Sequence, residues 1–321
     1  MIDAAGPWGT GPFVLASGVS TLAKRSPEVI MEPNTAYWNK DRVPKARIVF
    51  DNIMSRADAI ASVAAGDGKV DIVSNLSVDE AKAFKSDKAK IVANKAKTVL
   101  AGVINQKKGG PWADVAVRKA LNMAIDKDAV VKDGVAGYGS VVAAMIQPGR
   151  VGVNASLKPY AFDPGAAKAV FEKAGLKSVA IKGGSKAIVD SMTASLAKAG
   201  VAATAYDGKG DDWDINLVEH FDWSPGFAAG VVYREFFAKG GGFLASADSS
   251  AFDALYAKAL SNPDPAAQAK VMSDMEQWAY DTAPAVFLIS PNQLYAVSNR
   301  VKFTPYETWM LELAETSVAA K

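Results

Sequence analysis

The chain has no cysteine among its 321 residues. Disulfides, thiolate metal sites and cysteine nucleophiles are therefore excluded, and the redox compartment stays open. Histidine is nearly absent too, with His220 the only one. A zinc site needs three or four nitrogen, sulfur or carboxylate ligands, and one imidazole without thiolates argues against it. A Ser-His-Asp triad would have to use His220, and no Gly-x-Ser-x-Gly elbow is present. There is no P-loop and no Gly-x-Gly-x-x-Gly turn after a strand. No apolar run approaches the roughly 20 residues of a membrane span. The 36 basic and 34 acidic residues nearly cancel, leaving +2, and no dense basic tract points to nucleic acid. Residues 1–7 show no basic stretch before an apolar core, so no secretory signal is read there. The expectation is a protein without metal or cofactor, and not an enzyme.

What is present suits a folded chain. Half the residues are hydrophobic and 22% are charged, and the length suits one large or two ordinary domains. The most informative stretch runs from Pro111 to Val131. Asp114 is a good N-cap, because its carboxylate can accept from the free N–H groups of a first turn. Val117, Ala120, Leu121, Ala124 and Ile125 then share one helical face, and Asp126 can cap a restart. Strands are expected near 28–32, 46–50, 70–73 and 98–104, and a helix over 57–65 stopped by Gly66. Beyond Tyr160 the pattern is cleanly α/β. Asp163-Pro164 opens a helix that Gly175 ends, and a further helix over 185–199 stops at Gly200. Strands at 179–181, 201–206 and 214–219 alternate with these helices, which implies βαβ units and a largely parallel sheet. Asp264-Pro265 starts a long helix, and strands at 285–289 and 294–298 flank a Pro-Asn turn. The acids Asp211, Asp212 and Asp214 lack calcium-loop spacing and read as a solvated loop.

One segment carries chemistry. Glu219-His220-Phe221-Asp222-Trp223-Ser224-Pro225-Gly226 follows the apolar strand 215–218, just past a strand's C-terminal end. Ligands of open α/β sheets bind at such ends. A carboxylate there can pair with an amine or a hydroxyl, and the indole of Trp223 can stack on a sugar, an aromatic group or a cation. On the other reading, Phe221 and Trp223 cover the sheet edge and Asp222 caps the next turn. The residues alone leave both readings standing.

Several motifs, in order, resemble one family. Gly9-Thr10-Gly11-Pro12-Phe13 resembles a Gly-x-Gly-Pro-Tyr/Phe strand start. Residues 34–39, ending Tyr37-Trp38-Asn39, resemble an Arg-Asn-Pro-x-Tyr-Trp loop, with the first part blurred. Ala65-Gly66 through Val70-Asp71-Ile72 resembles a Ser-Gly-Glu-x-Asp turn with two extra residues. Asn105-Gln106 followed by residues 112–126 resembles an Asn before a Phe-x-Asp-x-Arg-Val-Arg-x-Ala helix ending in Ala-Ile-Asp-Arg. Residues 160–176 resemble its Tyr-x-x-Asp-Pro helix ending in Ala-Gly. The chain thus resembles the periplasmic oligopeptide- and dipeptide-type solute-binding proteins of ABC importers, extracellular solute-binding protein family 5.

That resemblance implies an α/β, periplasmic-binding-protein-like fold of two lobes, the first split in sequence. Residues 1–99 and 285–321 map to a partial lobe one, and 100–284 to a complete lobe two. It implies a periplasmic protein that captures a peptide-like or other small solute between lobes and delivers it to a membrane permease. Relatives bind peptides, sugars, opines and metal chelates. Asp222 aligns with an acid that pairs with a ligand's amino group, with Trp223, His220 and Tyr138 lining the site. Two departures stand out. The long part that precedes the Gly-x-Gly-Pro motif in the family is missing, so the chain reads as a truncated, C-terminal portion. The helix expected between the strands 201–206 and 214–220 is replaced by residues 207–213. An incomplete lobe exposes an unpaired edge, so self-association is expected. The rival reading is a stand-alone interaction protein derived from such a gene, without transport.

Overall fold

The computed structural model describes residues 9–21, 23–95, 98–146, 149–221, 228–246, 248–306 and 313–319, with backbone alone at Phe221 and 228–231. The chain divides into two compact units, Met1–Asn94 with Gln293–Lys321, and Lys95–Asn292. The first unit holds an antiparallel sheet of Phe13–Ser17, Glu28–Pro33 and Ile48–Asp51. A second sheet places Gln293–Ser298 between Ile72–Val73 and Ala89–Asn94. Helix Arg56–Ala65 is capped by Ser55, which accepts from Asp58 N–H, and ends at Gly66 with φ of 65°. A left-handed residue is needed at that stop, and glycine adopts it without a Cβ penalty.

The second unit is built on six strands: β1 (Thr98–Ile104), β2 (Gly139–Val141), β3 (Ser178–Lys182), β4 (Ala202–Tyr206), β5 (Ile215–Phe221) and β6 (Ala285–Pro291). Its helices are α1 (Val115–Ala124), α2 (Pro164–Ala174), α3 (Lys186–Lys198), α4 (Ala228–Phe237), α5 (Ser250–Leu260) and α6 (Pro265–Thr282). The strand order is β2-β6-β1-β5-β3-β4. The expectation of a largely parallel sheet needs correction. Only β5–β3 and β3–β4 are parallel, while β1 runs antiparallel to both its neighbours and β2 antiparallel to β6. Parallel pairing follows only where helices make the crossovers, as α3 does between β3 and β4. The strand β1 enters from outside that pattern. The second unit runs past β6 to Asn292, and β6 pairs with β1 inside this sheet. The strands either side of Asn292 therefore belong to different sheets and form no hairpin.

Alternation along β1 and β5 gives the sheet two distinct faces. Ala101 and Val103 join Phe287 and the aromatic side chains Tyr233, Phe236, Phe237 and Phe252 in one buried cluster. Leu100, Gly102, Ile215 and Leu217 lie on the opposite face. A Cβ on Gly102 would come within 2.6 Å of Ile215 Cγ2, so the close approach of β1 and β5 requires glycine there.

Buried polar side chains of α1 hold this sheet to the preceding helix. β2 pairs with β6 only at 289–291, which leaves the outer edge of β6 open at 285–287. Asn122, fully buried, closes it: its Nδ2 donates to Ala285 O at 2.9 Å and its Oδ1 accepts from Phe287 N–H at 3.0 Å. One amide thus makes the two bonds a neighbouring strand would make. Arg118, 5% exposed, donates to Thr282 O through Nε and Nη2 and to Trp112 O and Ala113 O through Nη1. Asp214, expected in a solvated loop, is buried and structural. It accepts from Lys108 Nζ at 2.8 Å, Trp112 Nε1 at 2.9 Å and Ala180 N–H at 2.7 Å. Asp211 and Asp212 are exposed as expected.

Residues 149–163 are strapped along α6 and α1. Glu276, 1% exposed, accepts from Asn154 N–H, and Asn154 Nδ2 donates to Gln277 Oε1 at 3.1 Å. The Tyr160 hydroxyl donates to Tyr280 O, and the two rings stack at 4.4 Å. Lys127 Nζ donates to Asn122 O at 2.6 Å and Tyr160 O at 3.4 Å. Burial pulls the Lys127 ammonium down to about 8 and lifts the Glu276 carboxyl from 4.5 to about 7.

Two outcomes are expected. Asn122→Ala leaves a buried carbonyl and a buried N–H of β6 without partners, at about 1–3 kcal/mol each. The urea midpoint should fall accordingly with an unchanged slope; an unaltered midpoint contradicts the clamp. For Glu276, the folded state keeps its proton while the unfolded chain ionises. Its contribution is therefore fully present below pH 4.5 and lost as pH rises through about 7. The loss is on the order of 3 kcal/mol. Glu276→Gln should match the parent near pH 4.5 and exceed it in denaturant midpoint at pH 8.

Candidate functional site

One end of the second unit's sheet gathers the chemistry. β5 and β6 both run antiparallel to β1, so the C-terminal ends of β5 and β6 lie beside the start of β1. Gly139 at the start of β2 pairs with Pro291 at the same end. The chain enters this unit at Lys95, three residues before β1, and leaves at Asn292, one residue after β6. Both crossings therefore abut the end where β5 runs into residues 222–226. Asp222 and Trp223 themselves lie outside the described residues.

His220 sits on the aromatic face. It is 8% exposed, and its ring lies 4.9 Å from that of Phe236 at an angle of 60°. Nε2 is 3.0 Å from Met145 O. A carbonyl only accepts, so Nε2 carries the hydrogen and Nδ1 a lone pair, which has no hydrogen-bond partner among the described residues. Burial pulls the imidazole down to about 4, which keeps it neutral. Met145 N–H reaches the buried Tyr233 hydroxyl at 3.4 Å, so the Met145 peptide is held from both sides.

Tyr138 is half-buried in the turn before β2. That turn is tight, with φ of 52° at Ala136 and 82° at Gly137. Tyr138 O accepts from Asn292 N–H at 3.0 Å, which ties it to the outgoing crossing. Three strand spacings separate β2 from β5, or about 14 Å, so Tyr138 and His220 share a sheet end without touching.

Two residues absent from the sequence-based site set belong to this end. Glu219 is exposed, and it shares a face of the sheet with the buried Thr98. Thr98 Oγ1 also lies 3.3 Å from Pro291 O. Burial raises the Glu219 carboxyl, and the neighbouring Thr98 hydroxyl opposes that rise. The signal was strand alternation: Glu219 must face away from His220, toward Thr98 and Leu100. Among the described residues no three His, Cys, Asp or Glu side chains gather as metal ligands, and no helix is long and apolar enough to cross a membrane.

The fold is that of the periplasmic binding proteins. The ABC transporter substrate-binding protein CtaP from Listeria monocytogenes superposes with a TM-score of 0.81 at 16% identity, over 97% of this chain and 67% of that one. At the level of sequence, residues 3–209 match the model of bacterial extracellular solute-binding proteins, family 5 Middle, and the chain belongs to that family. Its members are periplasmic or extracellular binding proteins. Among curated relatives, heme-binding protein A of Haemophilus influenzae is 30% identical over 169 residues, 53% of this chain and 29% of that protein. The dipeptide-binding protein of Escherichia coli is 42% identical over 67 residues, 21% of this chain and 12% of that protein. The chain thus matches less than a third of the length of these relatives.

The state of His220 is directly checkable. As the sole histidine it gives one imidazole signal set in ¹⁵N-detected NMR. Those shifts should report the Nε2–H tautomer and stay constant from pH 8 to 5; a midpoint near 6.5 contradicts its burial.

Proposed function

We propose that the chain serves as the solute-binding component of an ABC importer. It captures a small, peptide-like solute in the periplasm by hinge closure and delivers it to a membrane permease. No bond is made or broken, so the reading is not an enzyme. The units Met1–Asn94 with Gln293–Lys321 and Lys95–Asn292 are taken as the two lobes. The observation that carries the reading is the sheet end at which β5 terminates and both crossings leave. Ligands of α/β sheets bind outside strand ends, and family membership supports the solute-binding reading. Asp222 is the proposed anchor for a polar or cationic group. Trp223 and Tyr138 line the site, and His220 backs it through Met145.

A thermal-shift screen of dipeptides, sugars, opines and metal chelates on the 321-residue chain tests this. A ligand at a hundredfold excess over its Kd adds about 2.7 kcal/mol of stability. One ligand class should raise Tm by several degrees, and Asp222→Ala should remove most of that rise. A flat screen across all classes overturns the reading, and an unchanged shift in the variant overturns the anchor.

A further inference from the structure

Residues 149–163 carry no helix or strand and lie along α6. Two points one helical turn apart hold them there. At the first, Asn154 N–H donates to the Glu276 carboxyl and Asn154 Nδ2 to Gln277 Oε1 at 3.1 Å. At the second, the Tyr160 ring stacks on that of Tyr280 and its hydroxyl donates to Tyr280 O. Asn154 also shapes its own turn: its carbonyl accepts from Leu157 N–H at 3.1 Å and its Oδ1 from Ser156 N–H at 3.1 Å. Val153 and Tyr160 rest against the aromatic cluster.

Met272, Met275, Glu276 and Ala279 form a buried stripe of α6 at the spacing of one helical face. A carboxyl is thereby set among the apolar side chains of the cluster. Tyr233 from α4 and Tyr256 from α5 pack in the same cluster, and His220 from β5 on the same face. His220 is neutral, and burial pushes the Tyr233 hydroxyl well up. On α6 itself Asp274 pairs with Lys270, and Asp281 accepts from Gln277 Nε2. On α4, Arg234 pairs with Glu235. The cations within 149–163 are Arg150 and Lys158, and neither is among the described groups that shape the titration of Glu276. A neutral N–H cannot balance a negative charge taken out of water.

We infer that residues 149–163 form a proton-operated strap, docked on α6 while Glu276 keeps its proton and released when the carboxyl ionises and must reach water. Release uncovers the Tyr280 ring and the side of the aromatic cluster that Val153 and Tyr160 cover. None of this depends on a solute. With the strap released, Glu276 gives up its proton at its ordinary 4.5; with the strap docked, only at about 7. The docked form therefore binds more protons. Opening grows about tenfold per pH unit between those values and levels off above them. Lys127, which holds Tyr160 O, is pulled down only to about 8 and stays largely charged through this window.

Native-state amide exchange of the 321-residue chain, followed by NMR from pH 5.0 to 7.5 and corrected for intrinsic rates, tests this. Two amides decide it. Asn154 donates to Glu276, and Met145 donates to the buried Tyr233 hydroxyl at 3.4 Å. Asn154 should exchange through a local opening, unaffected by low urea, whose population rises at least about tenfold across that range. Met145 should exchange far more slowly and with a urea-dependent rate, because only unfolding of the unit exposes it. In Glu276→Gln the Asn154 opening should stay flat with pH, at the parent's level for pH 5.0. Asn154 exchanging in step with Met145, with the same urea dependence, overturns the strap, since the segment then leaves only when the unit unfolds. A local opening that ignores pH in the parent, or a rise that persists in Glu276→Gln, overturns the role of the proton. Should the variant not fold, the parent's two amides still decide between these outcomes.

Discussion

The amide of Asn122 is the contact on which the second unit depends. A strand as apolar as β6 needs both of its edges satisfied, and at 285–287 no strand among the described residues supplies the outer one. A single side chain does so, from a helix 163 residues earlier in the chain. Arg118, one turn before it, fastens the same helix to Thr282 at the end of α6. An uncompensated buried guanidinium would be costly, and its four bonds to carbonyl oxygens offset that cost. The helix thereby fixes where β6 begins, and β6 in turn fixes β1, which it pairs over residues 100–103.

The proposed site inherits its geometry from that arrangement. Because β1 is antiparallel to both neighbours, the ends of β5 and β6 fall together beside its start. Strand alternation then divides the labour. His220 and Val218 turn toward the aromatic cluster and hold the Met145 peptide, while Glu219 and Thr98 turn the other way. Rigid elements stand behind each of these groups, which is how a scaffold keeps a binding residue within reach of its ligand.

Much of the local structure was legible in the sequence, and the reason is range. Asp114, Asp126, Asp163 and Asp264 all cap helices as their positions suggest, accepting from N–H groups two or three residues on. Gly66 and Gly175 stop theirs in left-handed conformations. Such interactions are complete within a turn of chain. The sheet was less legible. The hydrophobic run of β1 carries no mark of its antiparallel insertion, and nothing local in the strands at 285–291 and 293–298 shows that they join different sheets, because their partners lie far away in sequence. Asp214 looked solvated for the same reason: its donors Lys108 and Trp112 lie about a hundred residues upstream. At the site, the lone His220 and the carboxylates drew attention as residue types, whereas Glu219 acquires meaning only from the register that brings Thr98 beside it.

The side chain that closes β6 has a second consequence, for how that strand meets other chains. Ala285, Val286, Phe287, Leu288 and Ile289 form a run without charge or proline, rich in side chains that favour extended stacking. Segments of this kind recruit copies of themselves when an edge is open. In the native protein all five are fully buried, and the edge is occupied by an amide that no incoming strand can displace without first removing α1. Asn122 thus closes to other chains an apolar ladder edge, a consequence of its position beside β6 and independent of any solute.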